Sequence, residues 1–77
     1  MLDKRSFTLS GHRTSVALEP EFWAALASLA VARGRSLSAL VSETDQQRAP
    51  GRSLASALRV RALSDRPPAP SGESSPD

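Results

Sequence analysis

The sequence contains no cysteine, no tyrosine and a single histidine, His12. The lack of cysteine excludes a disulfide framework and a thiolate metal site, and one histidine cannot build an imidazole cluster. We therefore expect neither a metal nor another cofactor. No apolar run approaches the roughly 20 residues of a bilayer-spanning helix, so we expect no membrane partner. The missing cysteines also suit the reducing cytoplasm, where we place the chain.

The chain also lacks the motifs of an enzyme. It has no glycine-rich phosphate loop, and its acidic residues are scattered rather than paired. A pocket of several hundred cubic ångströms, the usual size for a small ligand, is difficult to build in 77 residues. We therefore predict that the protein is not an enzyme. With disulfides and metals excluded, a core this small is expected to gain stability by oligomerisation.

Charge is distributed unevenly along the chain. Residues 1–64 hold nine Lys or Arg and five Asp or Glu, a net charge of +4 that a dimer would double. This basic part suits a polyanionic partner. The segment Asp65–Asp77 holds one arginine and three acids, is rich in proline and has no large apolar residue. We predict that residues 64–77 form a disordered tail.

An alternating apolar pattern predicts strands near the N-terminus. Residues 12–18 form the firmer strand, with Val16 and Leu18 on one face and Arg13, Ser15 and Ala17 on the other. If Ser10-Gly11 is a tight turn, Leu9 pairs with His12 and Phe7 with Thr14. Residues 1–11 are then a hairpin strand; otherwise they form a free N-terminal arm. The sequence leaves both possibilities open.

Three helices are predicted after the strand. The strand and the three helices form one domain over residues 12–63. The first begins at Pro20 and stops at Gly34, and Ser36 caps the second, which ends at Pro50-Gly51. A short third helix runs from Ser53 to Leu63. Its two arginines, Arg59 and Arg61, are expected on the solvated side.

The segment RTSVALEPEFW at residues 13–23, followed by GRSLS at residues 34–38, resembles the ribbon-helix-helix family of bacterial DNA-binding proteins. It is most similar to the subfamily with a His-Arg-Thr-Ser strand followed by Leu-Glu-Pro-Glu-Phe-Trp. The resemblance covers about residues 4–63. It implies a mainly α fold, an intertwined homodimer with an intermolecular antiparallel β-ribbon. It also implies sequence-specific binding of double-stranded DNA by a transcriptional regulator, a repressor, with the ribbon in the major groove.

The resemblance implies two sets of DNA contacts. The outward strand residues are the expected base contacts: Arg13, Ser15 and Ala17. The start of the second helix and the N-terminal arm supply the expected phosphate contacts: Ser36, Ser38, Arg35, Lys4 and Arg5. An arginine can donate two hydrogen bonds to guanine, and a helix N-terminus holds a phosphate.

A dimer core is predicted from the apolar positions: Val16, Leu18, Phe22, Trp23, Leu26, Leu29, Leu37, Leu40 and Val41. An independent physical argument supports a second copy. A lone strand with one apolar face leaves its backbone groups unpaired. We therefore expect the apolar side of Arg13–Leu18 to be exposed in a single chain and covered by a twin.

Two other functions stay open. An antitoxin would combine a DNA-binding dimer with a C-terminal segment that folds on a toxin; the tail lacks apolar anchors for this, but the third helix can serve. A protein-interaction scaffold would use the same dimer without DNA, which the small size of Ser15 and Ala17 favours. The third helix also offers a surface for a protein partner or for a dimer of dimers.

Overall fold

The computed structural model of the protein describes residues 1–64 as two strands followed by three helices. The elements are β1 (Asp3–Leu9), β2 (His12–Leu18), α1 (Pro20–Ala32), α2 (Leu37–Gln47) and α3 (Leu54–Ser64). The mainly α class and the predicted element order are confirmed. The predicted tail from residue 65 onward lies outside the described residues.

β1 and β2 form an antiparallel hairpin around the turn Ser10-Gly11. Both turn residues have positive φ, 51° for Ser10 and 81° for Gly11, as a type I′ turn requires. The register pairs Leu9 with His12, which the two-residue turn predicts. Of the two possibilities for residues 1–11, the structure has the hairpin strand and not a free arm.

The inner face of the hairpin packs on the helices of the same chain. Its four apolar residues, two from each strand, are almost inaccessible to solvent: Phe7, Leu9, Val16 and Leu18. They share one core with residues of all three helices, among them Trp23, Leu26, Leu40 and Leu58. The expectation that the apolar side of β2 is exposed in a single chain is therefore wrong. β1 pairs with one edge of β2, and the helices of the same chain cover the apolar face of β2.

The limits of α1 and the start of α2 follow their terminal residues as predicted, whereas α2 ends at Gln47, before the predicted stop at Pro50-Gly51. Pro20 opens α1, where its missing N–H leaves no hydrogen bond unmade, and Gly34 follows the helix with φ of 66°. Ser36 caps α2 by accepting a hydrogen bond from the N–H of Ala39 at 3.0 Å. Within residues 1–64 no single helix is long and apolar enough to cross a bilayer; α1 and α2 meet those criteria only together, across a bend of 101°.

α3 is held to the domain by two arginines that we expected on its solvated side. Arg59 Nε donates to Glu19 Oε1 at 3.0 Å. Arg61, whose side chain is 10% exposed, forms an ion pair with Glu43 at 3.1 Å and donates to Thr44 Oγ1 at 3.2 Å. The expectation is therefore wrong for Arg61, whereas Arg59 is 34% exposed and bridges to Glu19 from a partly solvated position.

Candidate nucleic-acid interface

The face of the hairpin that points away from the helices is polar. Successive strand residues point to opposite faces, so the apolar residues turned to the helices leave the intervening residues outside. This hairpin outer face consists of Lys4, Ser6 and Thr8 from β1 and Arg13, Ser15 and Ala17 from β2. All are exposed except the half-buried Ala17. The face carries two cations, three hydroxyl groups and no carboxylate.

The outer-face residues form three cross-strand pairs: Lys4 with Ala17, Ser6 with Ser15, and Thr8 with Arg13. The hydroxyl oxygens of Ser6 and Ser15 lie 3.0 Å apart and share a hydrogen bond. Lys4 and Arg13 make no ion pair with any residue in 1–64. Both cations are therefore available to an anionic partner.

The two cations predicted as phosphate contacts from an N-terminal arm are separated by the fold. Lys4 and Arg5 both lie in β1, and only Lys4 is on the hairpin outer face. The guanidinium of Arg5 lies 5.0 Å from the centre of the Trp23 ring and forms an ion pair with Asp3 at 3.9 Å. This cation–π contact holds Arg5 on the side of the hairpin that faces the helices.

The N-terminus of α2 is the second candidate contact, where Ser36, Ser38 and Arg35 were expected to hold a phosphate. Both serines are exposed in the region where the backbone N–H groups and the helix dipole favour an anion. Arg35 instead forms an ion pair with Glu43 at 3.2 Å. The structure therefore places the two serines together at the helix end and pairs Arg35 with an acid farther along α2.

Glu43 lies between two arginines from different parts of the chain. Partial burial raises the pKa of its carboxyl, but the guanidinium groups of Arg61 and Arg35 outweigh this effect and lower the pKa below its ordinary value. The pKa of Glu19 is also lowered, first by a backbone hydrogen bond and then by the hydrogen bond from Arg59. Both carboxyl groups are therefore charged at neutral pH.

The residues predicted as a dimer core lie in the core of the single chain. Most are buried there, namely Val16, Leu18, Trp23, Leu26, Leu29, Leu40 and Val41, while Phe22 and Leu37 are partly buried against them. Their burial needs no second copy, and a role between two chains stays a prediction.

Two members of the outer face, Ser6 and Thr8, were missed by the sequence reasoning. The signal was present, since both alternate with the apolar residues Phe7 and Leu9. Treating residues 1–11 as an optional arm concealed that the turn places them beside β2. Among residues 1–64, no group of three or more His, Cys, Asp or Glu is positioned to hold a metal.

Comparison with known proteins identifies the family. A family model described as "Ribbon-helix-helix domain" matches residues 2–65 of the 77, a range that contains every strand and helix described above. No match was found among curated proteins or among solved structures. Domains of this kind generally dimerise and occur in DNA-binding regulators and antitoxins. The chain therefore belongs to the ribbon-helix-helix family.

Proposed function

We propose that the protein binds double-stranded DNA sequence-specifically as a homodimeric transcriptional regulator. In this proposal it is a bacterial repressor that acts in the cytoplasm. The observation that carries this proposal is the hairpin outer face, an exposed two-stranded surface with two available cations and no carboxylate. A two-stranded ribbon fits the major groove, which is about 12 Å wide. The core beneath the hairpin fixes the positions from which the side chains reach the bases.

The outer-face residues have different roles in this proposal. Arg13 donates two hydrogen bonds to guanine, a contact worth about 1–3 kcal/mol of discrimination. Ser15 contacts several bases and adds little specificity, and Ala17 touches a thymine methyl group. Ser36 and Ser38 anchor a phosphate at the N-terminus of α2.

The outer edge of β2 is the proposed dimer contact. In a two-residue hairpin the pair next to the turn, Leu9 and His12, is hydrogen-bonded, and such pairs alternate along the ladder. The backbone groups of Arg13, Ser15 and Ala17 therefore point away from β1. A second copy that pairs with this edge gives the antiparallel ribbon of the family and satisfies these groups.

Selection of bound sites from random duplex DNA, followed by affinity measurements on the selected site, tests the proposal. We expect a two-fold symmetric site and binding that weakens steeply with salt, because phosphates are neutralised. Arg13→Ala should reduce the preference for the selected site over other sequences by about tenfold or more.

Arg52→Ala is the matched control, since it removes the same charge from a loop outside the hairpin. It should leave sequence preference unchanged. If Arg13→Ala retained both affinity and preference, or if both variants lost preference equally, the hairpin outer face would not be the surface that contacts the bases.

A second candidate function is that of an antitoxin, in which the DNA-binding dimer also holds a protein partner. It is favoured by two exposed apolar residues on α3, Val60 at 45% and Leu63 at 65% exposure. Co-expression with the protein encoded next to this one tests it. A complex that Val60→Asp disrupts without affecting DNA binding would support the antitoxin, and the absence of a complex would exclude that neighbour as its toxin.

A further inference from the structure

A basic cleft lies on the helical part of the domain, among α2, α3 and the end of α1. It has a volume of about 560 Å³, and its lining includes Arg33, Glu43, Thr44, Arg48, Arg52 and Arg61. This volume falls within the range of about 300–1,000 Å³ typical of small-molecule sites. We did not expect a pocket of this size in so short a chain. It is an open cleft bordered by the loop at residues 48–53 and the helices that this loop joins.

Positive charge dominates the lining of the basic cleft. Four arginines face a single acid, Glu43. That acid is already shared, since its carboxylate pairs with Arg61 at 3.1 Å and with Arg35 at 3.2 Å. Asp45 pairs with Arg48 at 2.9 Å, so among residues 1–64 the guanidinium of Arg52 is left without an acidic partner, and an anion in the cleft would neutralise it.

Two of the arginines are well placed to hold such an anion. Arg48 is fixed by Asp45, with Nε 2.9 Å from Oδ1, and its Nη1 donates to the main-chain oxygen of Arg52 at 2.7 Å. Its Nη2 donates no hydrogen bond within residues 1–64. The side chain of Arg52 forms no ion pair within the same described part of the chain. The cleft is therefore lined by the oriented guanidinium of Arg48 and by the guanidinium of Arg52, which has no ion pair within residues 1–64.

The remaining lining indicates what else the ligand carries. Ala49, Ala57 and Val60 provide an apolar wall, and Gln47 and Ser64 add neutral polar groups. Arg61 also lines the cleft, with only 10% of its side chain exposed and its guanidinium paired with Glu43. A concave site with a buried cation suits a small molecule better than the convex backbone of duplex DNA.

We propose that the basic cleft binds a small organic anion, with a phosphate or carboxylate group held by Arg48 and Arg52 and a short apolar portion against Ala57 and Val60. Arg61 adds positive potential to the lining while it remains paired with Glu43. This site is separate from the hairpin outer face and does not depend on DNA binding.

An NMR titration of the full-length protein without DNA tests the proposal. Pyrophosphate and citrate serve as the phosphate and carboxylate probes, each compared with sodium chloride at equal ionic strength. We expect saturable shifts at the amides of residues 43–52 and 57–64 and at the Nε–H signals of Arg48 and Arg52. Chloride should not reproduce them.

Variants locate the binding. Arg52→Ala and Arg48→Ala should each raise the dissociation constant about tenfold or more, because each removes hydrogen bonds to a charged group. Arg52→Lys keeps the charge but loses the planar fork, so it should bind with intermediate affinity. Arg13→Ala is the control of equal charge and should bind the probes as the parent does.

Three outcomes would overturn the proposal. Shifts that do not saturate would show a diffuse ion atmosphere. Equal losses for Arg13→Ala and Arg52→Ala would show that net charge alone matters. Unchanged binding in both Arg48→Ala and Arg52→Ala would place the anion elsewhere. None of these results tests the DNA-binding proposal, which is tested by the effect of Arg13→Ala on affinity and sequence preference for DNA.

Discussion

At the residue scale, Trp23 connects the first strand to the first helix. Its Nε1 donates to the main-chain oxygen of Asp3 at 2.7 Å, and its ring lies 5.8 Å from that of Phe7 and 5.0 Å from the guanidinium of Arg5. The side chain is 1% exposed. One buried residue therefore fixes the start of β1, and with it the orientation of the hairpin outer face.

Trp23→Phe keeps an aromatic ring but removes the hydrogen bond to Asp3 and part of the buried area. We expect the free energy of unfolding to fall by about 1–3 kcal/mol, with faster amide exchange at residues 3–6. Urea unfolding followed by circular dichroism measures the first effect. The control is Val31→Ala, which alters a side chain that is 79% exposed and should change stability by no more than about 0.5 kcal/mol. Equal effects would contradict the anchoring role.

At the element scale, the N-terminus of α2 combines a structural and a proposed functional task. The Ser36 hydroxyl accepts from the N–H of Ala39, so it stabilises the helix whether or not DNA is present. The first turn of α2 carries no acidic residue, so no carboxylate of that turn complements the positive end of the helix dipole. A phosphate is the partner that we propose.

Ser36→Asp separates the two tasks, because aspartate also caps a helix. Stability should be unchanged or raised by about 0.3–1 kcal/mol, since the new charge complements the helix dipole. DNA affinity should fall for all sequences alike, because the carboxylate repels the phosphate. Ser36→Ala is the companion variant, expected to cost about 1 kcal/mol of stability. Binding isotherms on the selected site and on random DNA measure the effect, and parental affinity in Ser36→Asp would disprove phosphate anchoring.

At the scale of the whole molecule, each chain covers the apolar face of its own hairpin, so a dimer is not needed to bury that face. What remains unpaired is the pair of outer hairpin edges, one on β1 and one on β2. Exposed strand edges are templates for further pairing. The arrangement of a strand-paired dimer therefore depends on which of the two edges pairs with the second copy. A substitution in one strand can prevent pairing at that edge and leave the other edge intact.

Ser6 and Ser15 are cross-strand partners whose N–H groups point to opposite outer edges, so proline at either position spares the hydrogen bonds between β1 and β2. If β2 pairs with its twin, Ser15→Pro should yield a monomer while Ser6→Pro remains a dimer. Analytical ultracentrifugation at micromolar concentration gives the answer, with circular dichroism to check folding. The reverse result would move the dimer contact to β1, and two folded dimers would refute strand pairing.

Stability should also depend on pH through the bridges that hold α3. The pKa of Glu43 and that of Glu19 are lowered in the folded protein. Their stabilising contribution is therefore fully present above the unfolded pKa, about 4.3, and is lost as the pH falls through the lower folded value. Glu43→Gln should lower the melting temperature at pH 7, and its difference from the parent should shrink at pH 3. A constant difference between Glu43→Gln and the parent across this pH range would contradict the ion-pair explanation.

The local features of the fold were predictable because short-range rules produce them. The turn at Ser10-Gly11 sets the hairpin register, and Pro20, Gly34 and Ser36 set the helix limits. Strand alternation likewise predicted the outward position of Arg13 and its neighbours. These rules act over a few residues, so the chain order alone is enough to apply them.

Local rules could not predict three features: the packing of the helices on the apolar face of β2, the burial of Arg61, and the basic cleft. Each depends on where α3 packs, about forty residues along the chain from β2, and α3 itself has no strong apolar stripe that would predict its partner. The same holds for Arg5, whose place over Trp23 follows from the packing of β1 on α1.

The amino-acid order by itself determined the second strand with its polar outer face and the three helices, and it offered the hairpin as one of two possibilities, because turn, cap and alternation preferences are local. Only the tertiary structure decided that one chain buries its own apolar strand face and that four arginines gather around a cleft. Both results arise from contacts between distant segments, whose free energy depends on the complete packing of the domain and not on any single motif.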